Sequence, residues 1–332
     1  MKKKLHWGII APGGIGTKFA QGLDAAEDSV LYAIGSRDLS RAQSFAAAFS
    51  TEMGNPVKAY GSYAELAADP EVEVVYIASP HPFHLEHAML CIENGKSVLV
   101  EKPFTVKAQE AEILTKAARD KKVFCMEAVW SRFLPAMQNA RKAIRDGRIG
   151  DIRMIRGDFS FAADVGPEHR LLNPELAGGA LLDVGIYVLS LSSFFAGSPP
   201  DKVCGLAEIG PTGVDIQESI SSAWDSGVVA SLTCGVTTKG PITMEIIGTE
   251  GVLEIDRPFF CSEGFSIRNE NGMERFDYPH NVNGYEHEAR EVERCLAQGL
   301  LESPDMPLDE SLKIVKIMDE LRAEWGIKYP FE

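Results

Sequence analysis

The sequence lacks several features that would assign it to other classes of protein. None of its six cysteines forms a C-x-x-C pair, and in a chain of 332 residues we expect free thiols, at least half of them in the core. No apolar stretch approaches a membrane span, so no transmembrane segment is expected. The net charge of −15 argues against nucleic acid or an anionic membrane as a partner.

The N-terminus lacks the apolar core of a secretory signal. Met1–Lys4 is basic, but the apolar run that follows ends at Pro12, which is too short for the hydrophobic region of a signal peptide. We therefore expect a cytoplasmic protein. An anionic dinucleotide is still an admissible ligand for this acidic chain, because helix ends and a few local cations can hold phosphate groups.

The chain is longer than one hydrophobic core usually supports, so two domains are expected. Residues 1–124 alternate apolar, strand-like runs with helical patterns, which predicts an α/β domain with a doubly wound parallel sheet. Residues 125–332 contain short alternating runs between Val203 and Ile267, joined by turn signals. This pattern predicts a second domain with an antiparallel sheet.

A glycine-rich turn follows the first predicted strand. The second and third glycines of a G-x-G-x-x-G fingerprint fall on Gly13 and Gly16, whereas the first position holds Ala11. The second glycine allows close approach of the backbone to a pyrophosphate, and it is kept. A turn without a ligand is the alternative, but its place between a strand and a helix favours a Rossmann dinucleotide site. The residues of this predicted phosphate loop are Ala11, Gly13, Gly14, Ile15 and Gly16.

The end of the second predicted strand distinguishes NADP from NAD. An NAD enzyme usually places a carboxylate here to bind the ribose hydroxyls, whereas this chain has Ser36 followed by Arg37. A guanidinium can bind a 2′-phosphate and stack on adenine, so we predict NADP as the cofactor. Asp38, one residue later, keeps NAD open, and a solvated surface arginine is the alternative without a ligand.

Glu101, Lys102 and Pro103 follow a buried-strand pattern at Ser97–Val100. Ligands bind at the carboxyl ends of parallel strands, so Lys102 is expected to face the crevice, with Glu101 beside it among the cofactor-binding residues. Pro103 favours a distinctive peptide geometry, with a cis bond among the options. A simple ion pair between Glu101 and Lys102 is the alternative.

Three histidines, His81, His84 and His87, follow Ser79 at spacings of three residues. The spacing is that of a metal site, but no nearby cysteine completes a ligand set, so no metal is expected. His81 comes at the end of a predicted strand. We predict that Ser79 and His81 line the cofactor cleft instead.

The segment from Gly178 to Tyr187 places Asp183 and Tyr187 four residues apart, on one face of a predicted helix spanning Leu181–Phe195. The glycines just ahead indicate close backbone contact, and together with Asp183 they indicate the wall of a crevice. A buried hydrogen-bonded pair with only a structural role is the alternative.

Taken together, these motifs resemble the glucose–fructose oxidoreductase / inositol dehydrogenase / rhizopine-catabolism (Gfo/Idh/MocA) superfamily. The resemblance rests on Glu-Lys-Pro at 101–103 and Gly-Gly-x-Leu-x-Asp-x-Gly-x-Tyr at 178–187, and it covers essentially the whole chain. Residues 126–133 and 302–311 look like the dimeric dihydrodiol dehydrogenase branch, which includes NADP-dependent D-xylose dehydrogenases. The resemblance implies an N-terminal Rossmann domain, a C-terminal α+β domain with an open, mainly antiparallel sheet, and a homodimer.

The resemblance also implies a function and its residues. The activity is hydride transfer between a nicotinamide cofactor and a CH–OH group of a sugar, polyol or dihydrodiol. Lys102, Asp183 and Tyr187 match the family's catalytic group. Trp130 and Arg132 match a segment near the substrate pocket, where Asp183 and Tyr187 are also expected to bind substrate.

The predicted roles follow from proton chemistry. A phenol has an ordinary pKa of about 10, and a nearby ammonium favours the phenolate. Tyr187 is therefore predicted as general acid/base, Lys102 as the charge that tunes it and polarises the substrate oxygen, and Asp183 as the orienting hydrogen-bond partner. Whether Tyr187 or Lys102 donates the proton directly stays open.

Two other functions stay open. One is a reductase of keto-sugars or dicarbonyls, which uses the same chemistry in the opposite direction. The other is a non-catalytic regulator that senses a dinucleotide, although such a protein would have no need of Lys102, Asp183 and Tyr187 together.

Two segments carry further predictions. The loop Phe161–Leu172 offers Asp164, Glu168, His169 and Arg170 as partners for substrate hydroxyls, with a solvated surface loop as the alternative. Val228–Val236 and Ile242–Ile247 look apolar enough to need cover on both faces. We therefore predict a homodimer through the C-terminal sheet.

Overall fold

A computed structural model describes residues 4–332; Met1–Lys3, which begin the basic N-terminus, lie outside the described residues. Contacts divide the chain into two units. The first comprises the chain up to Trp130 together with His280–Leu312, and the second comprises Ser131–Pro279 with Lys313–Glu332. The sequence predicts a single boundary after residue 124, whereas this division falls six residues later and returns the chain to the first unit after Pro279.

The first unit contains a six-stranded parallel sheet, which confirms the doubly wound fold predicted from the alternation of strands and helices. Its strands are β1 (Leu5–Ile10), β2 (Ser29–Gly35), β3 (Lys58–Tyr60), β4 (Val74–Ile77), β5 (Ser97–Glu101) and β6 (Cys125–Ala128). Their order is β3-β2-β1-β4-β5-β6. Every residue of β4 is fully buried, as expected for a strand with helices on both faces of its sheet.

The second unit contains a mixed, mainly antiparallel sheet of eight strands, which also confirms the predicted class. Its strands are β7 (Ile152–Ser160), β8 (Lys202–Ile209), β9 (Asp215–Ala223), β10 (Val229–Gly235), β11 (Met244–Gly248), β12 (Gly251–Ile255), β13 (Gly264–Asn269) and β14 (Gly272–Asp277). The order is β14-β13-β12-β11-β7-β10-β9-β8, and β7 pairs with β10 in parallel while the other pairs are antiparallel.

Nine α-helices occur within residues 4–332. They are α1 (Gly14–Leu23), α2 (Leu39–Met53), α3 (Tyr63–Ala68), α4 (His84–Glu93), α5 (Ala108–Lys121), α6 (Pro135–Arg145), α7 (Ile186–Ala196), α8 (Tyr285–Ala297) and α9 (Leu308–Glu324). A short π-helix, Leu181–Gly185, leads directly into α7. The predicted helix at Leu181–Phe195 is therefore helical throughout but wider in its first turn.

The apolar patterns of the sequence do not predict β3, α3, β13 or β14 as separate elements. β3 has only three residues, too few to show an alternating pattern. β14 is mostly exposed and carries charged side chains, which is typical of an edge strand. β3 and β14 thus lack the apolar periodicity on which the prediction depends, whereas β13 carries it at the buried Phe265 and Ile267 and is nevertheless not predicted.

The expectation that no stretch approaches a membrane span is wrong in one respect. Residues Pro174–Ala196 form a helical stretch that is long and apolar enough to cross a membrane by length and composition alone. However, 94% of its most apolar window is buried inside the protein. Its hydrophobicity is therefore accounted for by the core of the second unit.

The six cysteines are free thiols, and Cys91, Cys125, Cys234 and Cys295 are buried. Burial raises the pKa of Cys91 to about 12, which keeps this thiol protonated and unreactive at neutral pH. The prediction that at least half of the cysteines are core residues is confirmed.

Candidate active site

The carboxyl ends of four neighbouring strands bring the predicted cofactor residues to one edge of the first sheet. Ala11 follows β1, Ser36 follows β2, Ser79 lies two residues beyond β4, and Lys102 follows β5. Because these strands are adjacent and parallel, the four residues share one edge. The direction of winding reverses between β1 and β4, which is where open α/β sheets bind their ligands.

The positions of the glycine-rich turn differ in backbone conformation and in the space available for a side chain. Ala11 has a φ of 61°, in the left-handed region that favours glycine, which gives the physical reason that glycine is usual there. A Cβ on Gly13 would meet only Ala11 O, at 3.9 Å, and a Cβ on Gly14 would meet nothing within 4 Å. A Cβ on Gly16 would instead lie 3.4 Å from Ile9 Cγ2, in the contact between α1 and the sheet.

The fold therefore needs a small residue at Gly16 for packing, whereas the space beside Gly13 and Gly14 is open. Open space at the first turn of α1, next to its unpaired N–H groups, fits the pyrophosphate of a dinucleotide. At the same edge, Ser79 Oγ is buried without a hydrogen-bond partner among residues 4–332. The open space at this edge thus suits an NAD(P) cofactor, and the residues predicted to hold it are Ala11, Gly13, Gly14, Ile15, Gly16, Ser36, Arg37, Ser79, His81, Glu101 and Lys102.

The polar residues of the loop after β2 differ in their contacts. Asp38 Oδ1 caps α2, accepting from Ser40 N at 2.8 Å and Arg41 N at 3.3 Å. A further hydrogen bond from the Ser40 hydroxyl is the main cause of the lowered pKa of Asp38. Ser36 is buried and its Oγ accepts from Asp38 N at 3.2 Å, whereas the Arg37 side chain is exposed.

Hydrogen bonds fix the backbone that carries Lys102. Glu101 Oε2 accepts from Lys102 N at 3.0 Å, and the other oxygen of Glu101 accepts from the Tyr76 hydroxyl. Burial raises the pKa of Tyr76 well above its ordinary value, so its hydroxyl stays a donor. The Lys102–Pro103 peptide is cis, one of the geometries that the proline allows. Lys102 itself is half-buried.

His84 joins two loops of this edge. Its Nδ1 lies 2.8 Å from Pro103 O and its Nε2 lies 2.8 Å from Ser79 O. Complete burial lowers the pKa of His84 to about 4, so the ring is neutral at physiological pH and donates one N–H. The ring of His81 lies 5.8 Å from that of His84, and within residues 4–332 no three His, Cys, Asp or Glu side chains are placed to hold a metal ion.

Asp183 and Tyr187 lie on the helical stretch of the second unit, and both are nearly buried, with 5% and 7% of their surface exposed. Asp183 belongs to the π-helix, a rare element that often marks functional sites. The ring of Tyr187 packs against Phe159 and Phe260 at centroid distances of 5.4 and 6.1 Å. Aromatic packing therefore fixes the orientation of the phenol.

Arg170 connects the loop Phe161–Leu172 to this helix. Its Nη1 donates to Asp183 Oδ1 at 2.7 Å. The arginine side chain is 55% exposed while the carboxylate side chain is 7% exposed, so the pair lies at the boundary between core and solvent. Asp164, Glu168 and His169 are exposed on the same loop.

Trp130 and Arg132 have surroundings that the sequence did not indicate. Trp130 is 5% exposed and stacks on Tyr285 of α8 with ring centroids 4.4 Å apart. Arg132 is 1% exposed, and its guanidinium donates to Ser190 Oγ at 2.8 Å and Ser190 O at 2.6 Å. These hydrogen bonds tie Arg132 to α7. A contact of Arg132 with substrate stays a prediction.

The described residues define a class of protein. A parallel sheet with a phosphate-binding turn at its switch point is a dinucleotide-binding domain, and it is followed by a unit with a mixed sheet and a buried acid–phenol helix. The predicted site residues are divided between them. Lys102 belongs to the first unit, and Asp183 and Tyr187 belong to the second.

Comparison with known proteins identifies the family. Residues 5–129 match the oxidoreductase family with an NAD-binding Rossmann fold, and residues 137–254 match the GFO/IDH/MocA C-terminal domain. A trans-1,2-dihydrobenzene-1,2-diol dehydrogenase from Mus musculus is 40% identical over 340 residues, covering 98% of each chain. The chain belongs to the Gfo/Idh/MocA family of NAD(P)-binding oxidoreductases.

Solved structures share the fold. An aldose–aldose oxidoreductase from Caulobacter crescentus aligns with a TM-score of 0.87 at 22% identity, covering 98% of both chains. A 3-ketoreductase from Actinomadura kijaniata, solved with NADP and TDP-benzene, aligns with a TM-score of 0.83 at 24% identity, covering 97% of this chain and 98% of that one.

Proposed function

We propose that this protein is a dehydrogenase that transfers a hydride between NADP and a CH–OH group of a sugar, polyol or dihydrodiol. The observation that carries the proposal is the nearly buried pair of Asp183 and Tyr187 on one helix, in a chain 40% identical to a dihydrodiol dehydrogenase over its full length. A regulator that only senses a dinucleotide would have no reason to bury an acid and a phenol together there.

The catalytic assignment gives each residue one task. Tyr187 removes or returns the hydroxyl proton of the substrate, Lys102 supplies the positive charge that favours the phenolate and polarises the substrate oxygen, and Asp183 orients the hydroxyl by a hydrogen bond. Trp130 and Arg132 are assigned to the substrate pocket. The bound nicotinamide supplies the acceptor or donor of the hydride.

NADP is the proposed cofactor, with Arg37 as the residue that reads its 2′-phosphate. Asp38, the residue that would favour NAD, already uses one carboxylate oxygen to cap α2. Arg37 is exposed at the end of β2, where a phosphate on the adenosine ribose would be bound. The Actinomadura ketoreductase, whose fold this chain shares, was solved with NADP.

A homodimer formed through the second unit's sheet is also proposed, on a corrected basis. β10 is not apolar on both faces, because Ala230 and Leu232 point inward while Val229 and Ser231 are exposed. The exposed face of this sheet nevertheless carries Leu206, which is 80% exposed. Val229, which is 42% exposed, lies on the same face, and exposed apolar side chains grouped on one sheet face favour association. A cytoplasmic location is proposed from the six free thiols.

The function is tested by following NADPH absorbance with a panel of substrates. Oxidation is assayed with a trans-dihydrodiol and D-xylose, and reduction with a keto-sugar and a dicarbonyl. Oxidation of a diol or sugar supports the proposal, and activity only in the reducing direction supports the keto-sugar or dicarbonyl reductase. A protein that binds NADPH tightly but turns over none of these substrates supports a regulator.

A further inference from the structure

The second unit contains a buried carboxylate, that of Asp215, next to the Gly-Gly turn that precedes Asp183. The sequence motifs do not indicate this residue. Asp215, the first residue of β9, is fully buried, and its Oδ2 accepts from Leu181 N at 2.6 Å. Leu181 begins the π-helix that carries Asp183. A carboxylate at a helix N-terminus satisfies an otherwise unpaired N–H and is favoured by the helix dipole.

The carboxylate of Asp215 also gives the reason for glycine at position 179, in the segment Gly178–Tyr187. A Cβ on Gly179 would lie 2.3 Å from Asp215 Oδ1, so only glycine leaves room for the carboxylate, and the φ of +126° at Gly179 also requires glycine. From the other side, Tyr329 donates its hydroxyl to Gly178 O at 2.7 Å. The turn is thus held by Asp215 and Tyr329, two residues that are distant from it in sequence.

A second buried acid, Glu218, interacts with Asp215. Glu218 is 2% exposed, and its Oε2 accepts from Cys234 Sγ at 2.6 Å. Burial, followed by the charge of Asp215, raises the pKa of Glu218 well above its ordinary value. Glu218 therefore holds its proton at neutral pH, and Asp215 is the member of the pair that accepts from the helix.

We propose that Asp215 is a positioning residue for the reaction: its carboxylate fixes the first turn of the helix that carries Asp183 and Tyr187. Burying a carboxylate is costly unless hydrogen bonds compensate it, so the position of Asp215 and that of the Leu181 N–H are tightly linked. Because the stretch 181–196 is continuous, a displaced first turn moves Asp183 directly and tilts Tyr187. The inference rests on the proposed dehydrogenase function.

Three variants test the assignment. Asp215→Ala removes the acceptor for Leu181 N–H. Asp215→Asn keeps an oxygen that can accept from it without the charge. Asp158→Ala is the matched control: Asp158 is also a carboxylate of the second unit that accepts from a backbone N–H, that of Ile242 at 3.1 Å, and its side chain also accepts from the hydroxyls of Ser160 and Thr233, which lie outside the stretch 181–196. Each variant is assayed for turnover, for NADPH affinity and for hydrogen exchange of the peptide covering residues 178–185.

Asp215→Ala is expected to lower kcat by about ten- to a hundredfold, because small displacements of catalytic groups cost about that much. NADPH affinity should stay within about twofold, and the Leu181 amide should exchange about tenfold faster or more, as expected for the loss of a charge-assisted hydrogen bond. Asp215→Asn should recover part of kcat and of the protection. Asp158→Ala should leave kcat and the exchange of residues 178–185 unchanged.

A folded Asp215→Ala protein with wild-type kcat, or with unchanged exchange at Leu181, would overturn the inference. If Asp215→Ala does not fold, Asp215→Glu is assayed in its place, because one extra methylene moves the carboxylate toward Gly179. The same fall in kcat is expected for Asp215→Glu. Wild-type kcat in this variant would overturn the assignment. If the wild type itself oxidises and reduces no substrate, the proposed function fails, while the exchange measurement still tests the contact between Asp215 and Leu181.

Discussion

The guanidinium of Arg170 donates a 2.7 Å hydrogen bond to the carboxylate of Asp183, so an exposed loop residue and a buried residue of the proposed catalytic group are held together. A hydrogen bond between charged groups is stronger and shorter than a neutral one. Arg170 therefore fixes the side chain of Asp183 at its solvent side, while the contact of Asp215 with Leu181 fixes the backbone of the same helix.

Replacing Arg170 should impair turnover through Asp183. Arg170→Ala is expected to lower kcat by about tenfold, which corresponds to the loss of roughly one charge-assisted hydrogen bond. Arg170→Lys should be intermediate, because an ammonium keeps the charge but not the planar geometry. Steady-state kinetics check this, with Arg153→Ala as control because Arg153 also pairs with an acid, Asp151, on the surface. Wild-type kcat in Arg170→Ala would show that the ion pair has no part in turnover.

Replacing Lys102 should separate chemistry from cofactor binding. Lys102→Met is expected to cut turnover by about a hundredfold or more, since proton transfer and charge stabilisation each contribute about that much. NADPH affinity should change by no more than a few fold, as measured by fluorescence titration. Lys121→Met makes the same change at an exposed lysine in α5 and should be neutral. An active Lys102→Met enzyme would refute the assignment of Lys102.

The parts of this fold that could be predicted have strong local signals. α5 at Ala108–Lys121 and α6 at Pro135–Arg145 carry helical apolar periodicity that is readable in the sequence alone. The glycine turn could be placed because its chemistry lies within six consecutive residues. β14 was missed because an exposed, charged edge strand carries no apolar pattern.

The supports of the site could not be predicted, because they depend on contacts between distant parts of the chain. Asp215 meets a turn more than thirty residues earlier in the chain, and Ser190 meets a guanidinium on another element. In the sequence, Asp215 is one acid among the 48 aspartates and glutamates of the chain. Only the fold identifies Asp215 as the acid that accepts from the first turn of the helix carrying Asp183 and Tyr187.

His84 should make stability depend on pH. Its pKa is near its ordinary value of about 6.5 in the unfolded chain but about 4 in the folded protein, because burial disfavours the charged ring. The unfolded state therefore takes up a proton first as pH falls. The contribution is fully present above about pH 6.5 and is lost progressively toward pH 4, by about 3 kcal/mol in total.

Urea unfolding at several pH values between about 7 and 4.5 measures this loss. His84→Asn keeps one donor for a carbonyl but has no proton to gain, so its free energy of unfolding should fall less steeply over this range. Parallel curves for wild type and His84→Asn would contradict the prediction. The buried His87, whose pKa is also lowered by burial, leaves part of the slope in both proteins.

The proposed dimer should depend on the exposed face of the second unit's sheet. Leu206→Glu places a charge at the most exposed apolar side chain of β8 and is expected to shift the protein to a monomer, as measured by light scattering at micromolar concentration. Ile113→Glu, at a 45% exposed position of α5 in the first unit, is the control and should leave the mass unchanged. A wild-type monomer would count directly against the dimer.

Removing Arg37 should change the choice of cofactor. Charge-assisted hydrogen bonds to a 2′-phosphate are each worth about 1.5–3 kcal/mol, so Arg37→Ala should weaken NADPH binding by roughly ten- to a hundredfold. NADH has no 2′-phosphate and should lose much less. Titration of both cofactors into wild type and Arg37→Ala makes the comparison. Equal losses would mean that Arg37 only stacks on adenine, and a wild-type preference for NADH would mean that Asp38 binds the ribose hydroxyls despite capping α2.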